Sequence, residues 1–350
     1  MRIGLYGMPA AGKTYILNKL DFIKVVSGSL MLREICPEFD QKDEEEKNEV
    51  RRKLADRLAT IDTFIIDGHY AFGDKKAFTE KDGCLYDAFL YLYVLPEALK
   101  KRMEVSERNR KYLDYDLDKW QKWEIESLRE YCHEHDKDFY VIDNPPENFF
   151  GDISEVIDFI KAVLGGYSCK ALAEKCADEI LKSSKSDTVV LMDGDKTVTI
   201  EDSSNVVFGY TTRIYDGNFY TGYQSWRQAR EFEIYHFEDL TEMPVSLNET
   251  VCRAMTEDTY ILTSGHEQIW RFISEQLKVP FYHGIEMSAE TKLYITKLLQ
   301  KAGKRVIVYG DGMNDYYMLK QADRGFLVTK KDGSLSRSLK GRDLEGLTLV

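Results

Sequence analysis

Two carboxylates set two residues apart, Asp193 and Asp195, close a short apolar run rich in β-branched residues, Thr188–Met192. Such a run reads as a buried strand, and in open α/β sheets ligands gather at the carboxyl ends of strands. Carboxylates crowded at one strand end repel each other unless a cation or a shared proton compensates. Mg²⁺, which prefers hard oxygen ligands, is the usual remedy. Asp193-Gly194 is also a common turn pair, so taken alone the stretch fits a polar turn equally well. Three further groups change that balance. The strand-like run 304–309 ends in Gly310-Asp311-Gly312-Met313-Asn314-Asp315, the run 259–262 ends in Thr263-Ser264-Gly265, and Lys292 lies on a helical pattern between them. Together they supply a nucleophilic carboxylate, a second carboxylate for proton transfer, a hydroxyl, a cation and further metal-binding carboxylates. Those are the parts needed to make and break an aspartyl-phosphate.

A second chemistry sits near the start of the sequence. The strand-like run 1–6 leads into Gly7-Met8-Pro9-Ala10-Ala11-Gly12-Lys13-Thr14 and then a helical pattern through Leu20. This is G-x-x-x-x-G-K-[ST] in its strand–loop–helix context. Backbone N–H groups over Gly7, Ala10, Ala11 and Gly12 are expected to wrap phosphates, helped by the helix N-terminus. Lys13 neutralises the β- and γ-phosphates and Thr14 holds Mg²⁺, which makes this a site for a nucleoside triphosphate such as ATP. Downstream, the strand-like run 63–66 ends in Asp67-Gly68-His69. An acidic residue there suits orientation of the Mg²⁺ shell or of the attacking hydroxyl, and Asp67 is a stronger candidate than His69. After the strand-like run 89–95, a helix is expected to carry Arg102, Arg108 and Arg110 onto the transferring phosphate. Arginine suits that task because its planar fork grips phosphate oxygens and stays charged.

On these residues, positions 186–350 resemble the haloacid-dehalogenase-like phosphatases, with Asp193-x-Asp195-x-Thr197, Thr263, Lys292 and Gly310-Asp311 with Asp315 as their four motifs in order. The resemblance implies Asp193 as nucleophile, Asp195 as proton donor and acceptor, and Thr263, Ser264, Gly265 and Lys292 around the phosphoryl group. It also implies Mg²⁺ held by Asp193, Asp195 through its backbone carbonyl, and Asp311, with Asp315 in support. Residues 24–33 resemble the acceptor segment of adenylate-kinase-like enzymes, which implies a phosphate-binding role for Arg33. Ser27-Gly28-Ser29 departs from that family's Thr-Gly-Asp, and Arg33 reads equally as a surface arginine on a helix.

The organisation expected is α/β throughout: two doubly wound, Rossmann-like domains, a P-loop NTPase fold followed by a haloacid-dehalogenase-like fold with an inserted cap. The boundaries are 1–166 for the kinase domain, 167–185 for a linker helix, and 186–350 for the phosphatase domain, with the cap at about 200–258. The turn Asn144-Pro145-Pro146 begins to close the first domain. Aromatic residues crowd the cap, where packing of a small core explains most of them. The 350 residues are enough for two separate cores. Six scattered cysteines without a Cys-x-x-Cys pair read as reduced thiols. No apolar run reaches the length of a membrane span, and Met1 leads straight into a strand, so a cytoplasmic protein is expected. A formal net charge of −12 lacks the broad positive surface of non-specific nucleic-acid binders.

Kinase followed by phosphatase is the order of the bifunctional polynucleotide kinase–phosphatases, which the chain resembles in architecture. That implies ATP-dependent phosphorylation of a 5′-hydroxyl end and removal of a 3′-phosphate from nucleotide or short nucleic-acid ends. Two alternatives stay open: a kinase–phosphatase for a nucleoside monophosphate or small phosphorylated metabolite, and a nucleotide-sensing regulator whose P-loop does not transfer phosphate.

Overall fold

Short apolar strands alternating with helices build parallel sheets, because each crossover helix returns the chain to the same end of the sheet. The computed structural model describes residues 1–143, 153–217, 219–235 and 240–350; the expected turn at Asn144-Pro145-Pro146 lies outside them. Two units separate, Met1–Gly166 and Tyr167–Val350. No helix among the described residues is long and apolar enough to cross a membrane, and none of the six cysteines is in a disulfide.

Unit 1 carries β1 (Arg2–Tyr6), β2 (Val25–Ser27), β3 (Phe64–Asp67), the short pair β4 (Ala71–Phe72) and β5 (Lys75–Lys76), then β6 (Ala88–Tyr93) and β7 (Asp138–Asp143). Five of these form one sheet in the order β2-β3-β1-β6-β7, parallel throughout. β4 and β5 pair antiparallel beside it. Burial on both faces explains the near-continuous apolar reading of β1, β3 and β6. Leu5 lies opposite Asp67, so the P-loop after β1 and the acidic end of β3 emerge side by side. Helix Glu44–Leu58 starts where Asp43 and Glu46 form a capping box.

One helix departs from expectation. The helix after β6 is Pro96–Glu104, so Arg108 lies beyond it and Arg110 opens a separate 3₁₀ turn, Arg110–Tyr112. The next helix starts at Leu117, because the Asp116 side chain accepts from Lys119 N and caps it there.

Unit 2 carries β8 (Thr188–Asp193), β9 (Thr259–Thr263), β10 (Phe281–His283), β11 (Arg305–Gly310), β12 (Arg324–Leu327) and β13 (Thr348–Leu349). They form a single parallel sheet in the order β10-β9-β8-β11-β12-β13. Asp193 is opposite Leu262 on one side, and Met192 is opposite Tyr309 on the other. The carboxyl ends of β8, β9 and β11, with their three polar sequences, therefore meet at one edge.

Helix Cys169–Ser183, expected to be a linker, is instead built into unit 2. Ala173, Cys176, Ala177 and Ile180 are buried in one core with Leu191, Leu262, Val306 and Leu299. Their i, i+3, i+4, i+7 spacing is the apolar stripe of a packed helix. Residues 200–258, expected as the cap, hold helices Ser203–Phe208, Gly222–Phe232 and Glu249–Cys252; Asn218 and residues 236–239 lie outside the described residues. Its aromatics pack on one another: Tyr215 stacks on Tyr220 at 4.7 Å and Tyr210 meets Phe232 at 4.9 Å.

Candidate functional site

Lys292 is fully buried in helix Ala289–Lys301, and its ammonium donates to Asp193 Oδ1 at 2.5 Å and Asp315 Oδ1 at 2.8 Å. Burial alone would strip the lysine of its proton, but the two carboxylates outweigh it and hold the group above its ordinary range. Asp315 Oδ2 accepts from the backbone N–H of Asp311 at 3.1 Å and of Gly312 at 3.3 Å, which shapes the turn after β11. Carboxylate oxygens of Asp193, Asp311 and Asp315 lie within 4.8 Å of one another. Burial first, then mutual repulsion with Asp315, pushes Asp193 and Asp311 upward against the pull of Lys292. Three carboxylates face the Lys292 ammonium, with Lys196 acting on Asp311 as well, so the site keeps an excess of hard oxygen donors over cations. That donor set fits Mg²⁺.

Asp195 is not part of the cluster through its side chain. Its Oδ1 accepts from Ser203 N at 2.7 Å and its Oδ2 from Trp270 Nε1 at 3.3 Å. Burial, with Asp202 nearby, raises its pKa. Thr263 is buried at the end of β9, with its hydroxyl accepting from Gly265 N at 3.0 Å. Ser264 instead lines a cavity of about 350 Å³ shared with Gln228, His266, Arg271 and His283. From the segment 200–258, Tyr220 comes near Ser338 and Asp311, and burial raises its pKa, while Ser338 Oγ accepts from Met313 N at 3.0 Å. Sequence reasoning missed Ser203, Trp270 and Ser338. Trp270 comes seven residues after Thr263, yet nothing in its local pattern separates it from a core tryptophan.

In unit 1 a cavity of about 1080 Å³ is lined by Ala10, Ala11, Gly12, Lys13, Thr14, Arg33, Asp67, His69 and Arg108, among others. Gly12 takes φ 103°, which glycine tolerates best, and Ala10 takes φ 64°. Arg102 donates to the carbonyls of Ala10 and Ala11 at 3.3 and 3.1 Å, bracing the loop from behind. The Lys13 ammonium donates to the loop carbonyls of Gly7 and Met8, and burial lowers its pKa to about 8 against the pull of Glu124 and Asp67. A buried cation within a ring of loop residues fits the phosphates of ATP.

Asp67 Oδ1 accepts from Gly28 N at 3.0 Å, tying the end of β3 to the start of helix Gly28–Ile35. Arg33 pairs with Asp40 at 3.1 Å, half-exposed on that helix while lining the cavity, so neither of its two readings is displaced. Of Arg102, Arg108 and Arg110, Arg108 alone is among the residues lining the cavity. Arg110 donates to Glu104 O at 2.8 Å, closing the end of its neighbouring helix. Burial and the charges of Lys13 and Arg108 push His69 well below its usual range. Glu124, which the sequence did not single out, accepts from Ala71 N, Trp120 Nε1 and Tyr91 Oη at 3.0, 3.0 and 2.7 Å.

A family profile described as AAA domain matches residues 6–121, about a third of the chain. No curated protein matches it. Among solved structures, a shikimate kinase from Bacteroides thetaiotaomicron is similar at 18% identity and TM-score 0.30, over 47% of this chain and 96% of that one. A shikimate kinase from Acinetobacter baumannii in complex with shikimate is similar at 15% identity and TM-score 0.33, over 46% of this chain and 93% of that one. A substrate-bound phosphoserine phosphatase is similar at 13% identity and TM-score 0.31, over 43% of this chain and 90% of that one.

Proposed function

We propose that the chain is an enzyme with two activities, an ATP-dependent phosphotransferase in unit 1 and a phosphomonoesterase in unit 2. The observation that carries the proposal is the meeting of Asp193, Asp311, Asp315 and Lys292 at the ends of β8 and β11, with Asp195 two residues along. A Mg²⁺ ion would be held by Asp193, Asp311 and Asp315, with the backbone carbonyl of Asp195, and would supply neutralising charge at the transferring phosphoryl group.

In the phosphatase step the Asp193 carboxylate attacks phosphorus. The bond to the leaving oxygen breaks with its electron pair, and that oxygen takes a proton from Asp195. Water then attacks the acyl phosphate, returning its proton to Asp195 and regenerating the Asp193 carboxylate. Lys292, placed against Asp193, supplies positive charge to the phosphoryl oxygens, and the Thr263 hydroxyl lies at the adjoining strand end. In unit 1, Lys13 would neutralise transferring phosphates and Thr14 would hold a second Mg²⁺, while Asp67 would orient the acceptor hydroxyl.

Small substrates fit best. In the unit 1 cavity Asp40, Glu44, Asp67, Asp74 and Asp82 are interspersed among the lysines and arginines, which disfavours an unbroken positive track along a phosphate backbone. The net charge of −12 points the same way. The test assays ATP-dependent phosphorylation of nucleoside monophosphates, small hydroxylated metabolites and 5′-hydroxyl oligonucleotides side by side, with dephosphorylation of the matching esters. Turnover of small compounds supports this reading. Turnover confined to oligonucleotide ends supports the polynucleotide kinase–phosphatase reading instead. Binding of ATP with no transfer to any acceptor would favour the sensor.

A further inference from the structure

Asp193 and Asp195 are held by opposite means. Asp193 rests on an ammonium, whereas both oxygens of Asp195 are engaged by neutral donors, Ser203 N on one and the Trp270 indole N–H on the other. Trp270 is fully buried in helix Glu267–Leu277, directly after the Thr263-Ser264-Gly265 turn. Its ring occupies a slot that two glycines leave open. A Cβ on Gly194 would stand 2.5 Å from Trp270 Cζ2, and a Cβ on Gly265 would stand 2.4 Å from Trp270 Nε1 and 2.6 Å from Asp195 Oδ2. Real side chains do not make such contacts without displacing their neighbours. Gly265, expected near the phosphoryl group, therefore makes room for the indole and the carboxylate together.

We infer that Trp270 is a positioning residue for proton transfer in unit 2: its N–H, with Ser203 N, fixes the rotation of the Asp195 carboxyl. The inference rests on the proposed role of Asp195 as proton donor. At 3.3 Å the indole contact is long for an N–H···O bond, so it orients the carboxyl more than it grips it. Proton delivery to the leaving oxygen depends on reach within hydrogen-bond distance, and a carboxyl free to turn on one remaining donor would meet that condition less often. A purely structural tryptophan, one member of the core around Ile269 and Ile273, would not distinguish one leaving group from another.

The test uses the full-length, Mg²⁺-loaded protein and measures the single-turnover rate of phosphoenzyme formation across aryl and alkyl phosphates of graded leaving-group basicity. Trp270→Phe keeps most of the ring volume and deletes the N–H. The expected result is a loss on the order of 10-fold or more for alkyl phosphates, a fraction of the full general-acid effect, and little change for a nitrophenyl phosphate that leaves without a proton. Equal loss for all esters, or no loss, overturns the inference. Asp195→Asn is the control on the underlying role: it should steepen the dependence on leaving group further, with Trp270→Phe adding nothing on top. If Asp195→Asn leaves that dependence unchanged, the proton-donor reading itself fails. Should Trp270→Phe not fold, β-(3-benzothienyl)alanine at position 270 keeps the bicyclic shape without the N–H, and the same two outcomes decide.

Discussion

Glu124 has no exposed surface, and each of its oxygens is engaged by a donor from another part of unit 1. Burial raises its pKa from 4.5 to about 7, with the Lys13 charge pulling the other way. The folded state therefore keeps this proton over a range where the unfolded chain releases it. The contribution of Glu124 to stability should be greatest below about pH 4.5, fall as pH rises toward about 7, and stay flat above. Glu124→Gln, which keeps the shape and removes the titration, should flatten that segment of the pH dependence by an amount on the order of a few kcal/mol. Urea unfolding of the unit 1 transition at a series of pH values measures the difference between wild type and variant. Parallel pH profiles would show that Glu124 does not titrate in this window. Such a residue is hard to see in sequence. Its partner Ala71 is 53 positions away, and Trp270 lies 75 positions from Asp195, so each looks locally like an ordinary helix residue. Asp193, Asp311 and Asp315 are legible because each stands at or just beyond the end of a recognisable apolar run.

Strands and their ends were readable because a buried parallel strand leaves an unbroken apolar run, and the polar residues after it mark its carboxyl end. Helix limits were less so where caps decide them. The Asp116 cap separates helix Leu117–Glu134 from the turn that carries Arg110, and this divides the arginines into three different tasks. Arg108 lines the cavity, Arg102 braces the P-loop carbonyls, and Arg110 closes a helix end. Arg108→Ala should cut ATP turnover, with whichever acceptor is phosphorylated, by about 10²-fold or more, because an arginine on the transferring phosphoryl acts mainly through charge. Arg102→Ala should act chiefly on KM for ATP, and Arg110→Ala on neither. Steady-state kinetics of the three variants decides; a flat response to Arg108→Ala would place the transition-state charge elsewhere. The segment 167–185 carried a readable signal, the spacing of Ala173, Cys176, Ala177 and Ile180, which its charged and serine-rich end obscured.

At the scale of the whole molecule, two parallel-sheet units each present their chemistry at the carboxyl ends of their own strands, and the two sites share no residue. Sites without shared partners respond to mutation independently. Lys13→Ala should therefore abolish ATP-dependent transfer and leave hydrolysis of small phosphate esters nearly unchanged, as initial rates of both reactions on the same preparation will show. Equal loss of both in a folded variant would mean that the units are energetically coupled. Composition spoke to substrate class as well, since an acidic surface disfavours long polyanions, while acceptor identity depends on cavity shape and is not encoded in any local pattern. The central claim is that Asp193 carries the phosphoryl group. Acid quench of the Mg²⁺-loaded protein during turnover of a phosphate ester, borohydride reduction of the acyl phosphate and peptide mass spectrometry test it directly. The account predicts conversion of Asp193 alone to homoserine, lost in Asp193→Asn together with turnover. Modification of a different residue, or full turnover with Asp193 unmodified, would contradict it.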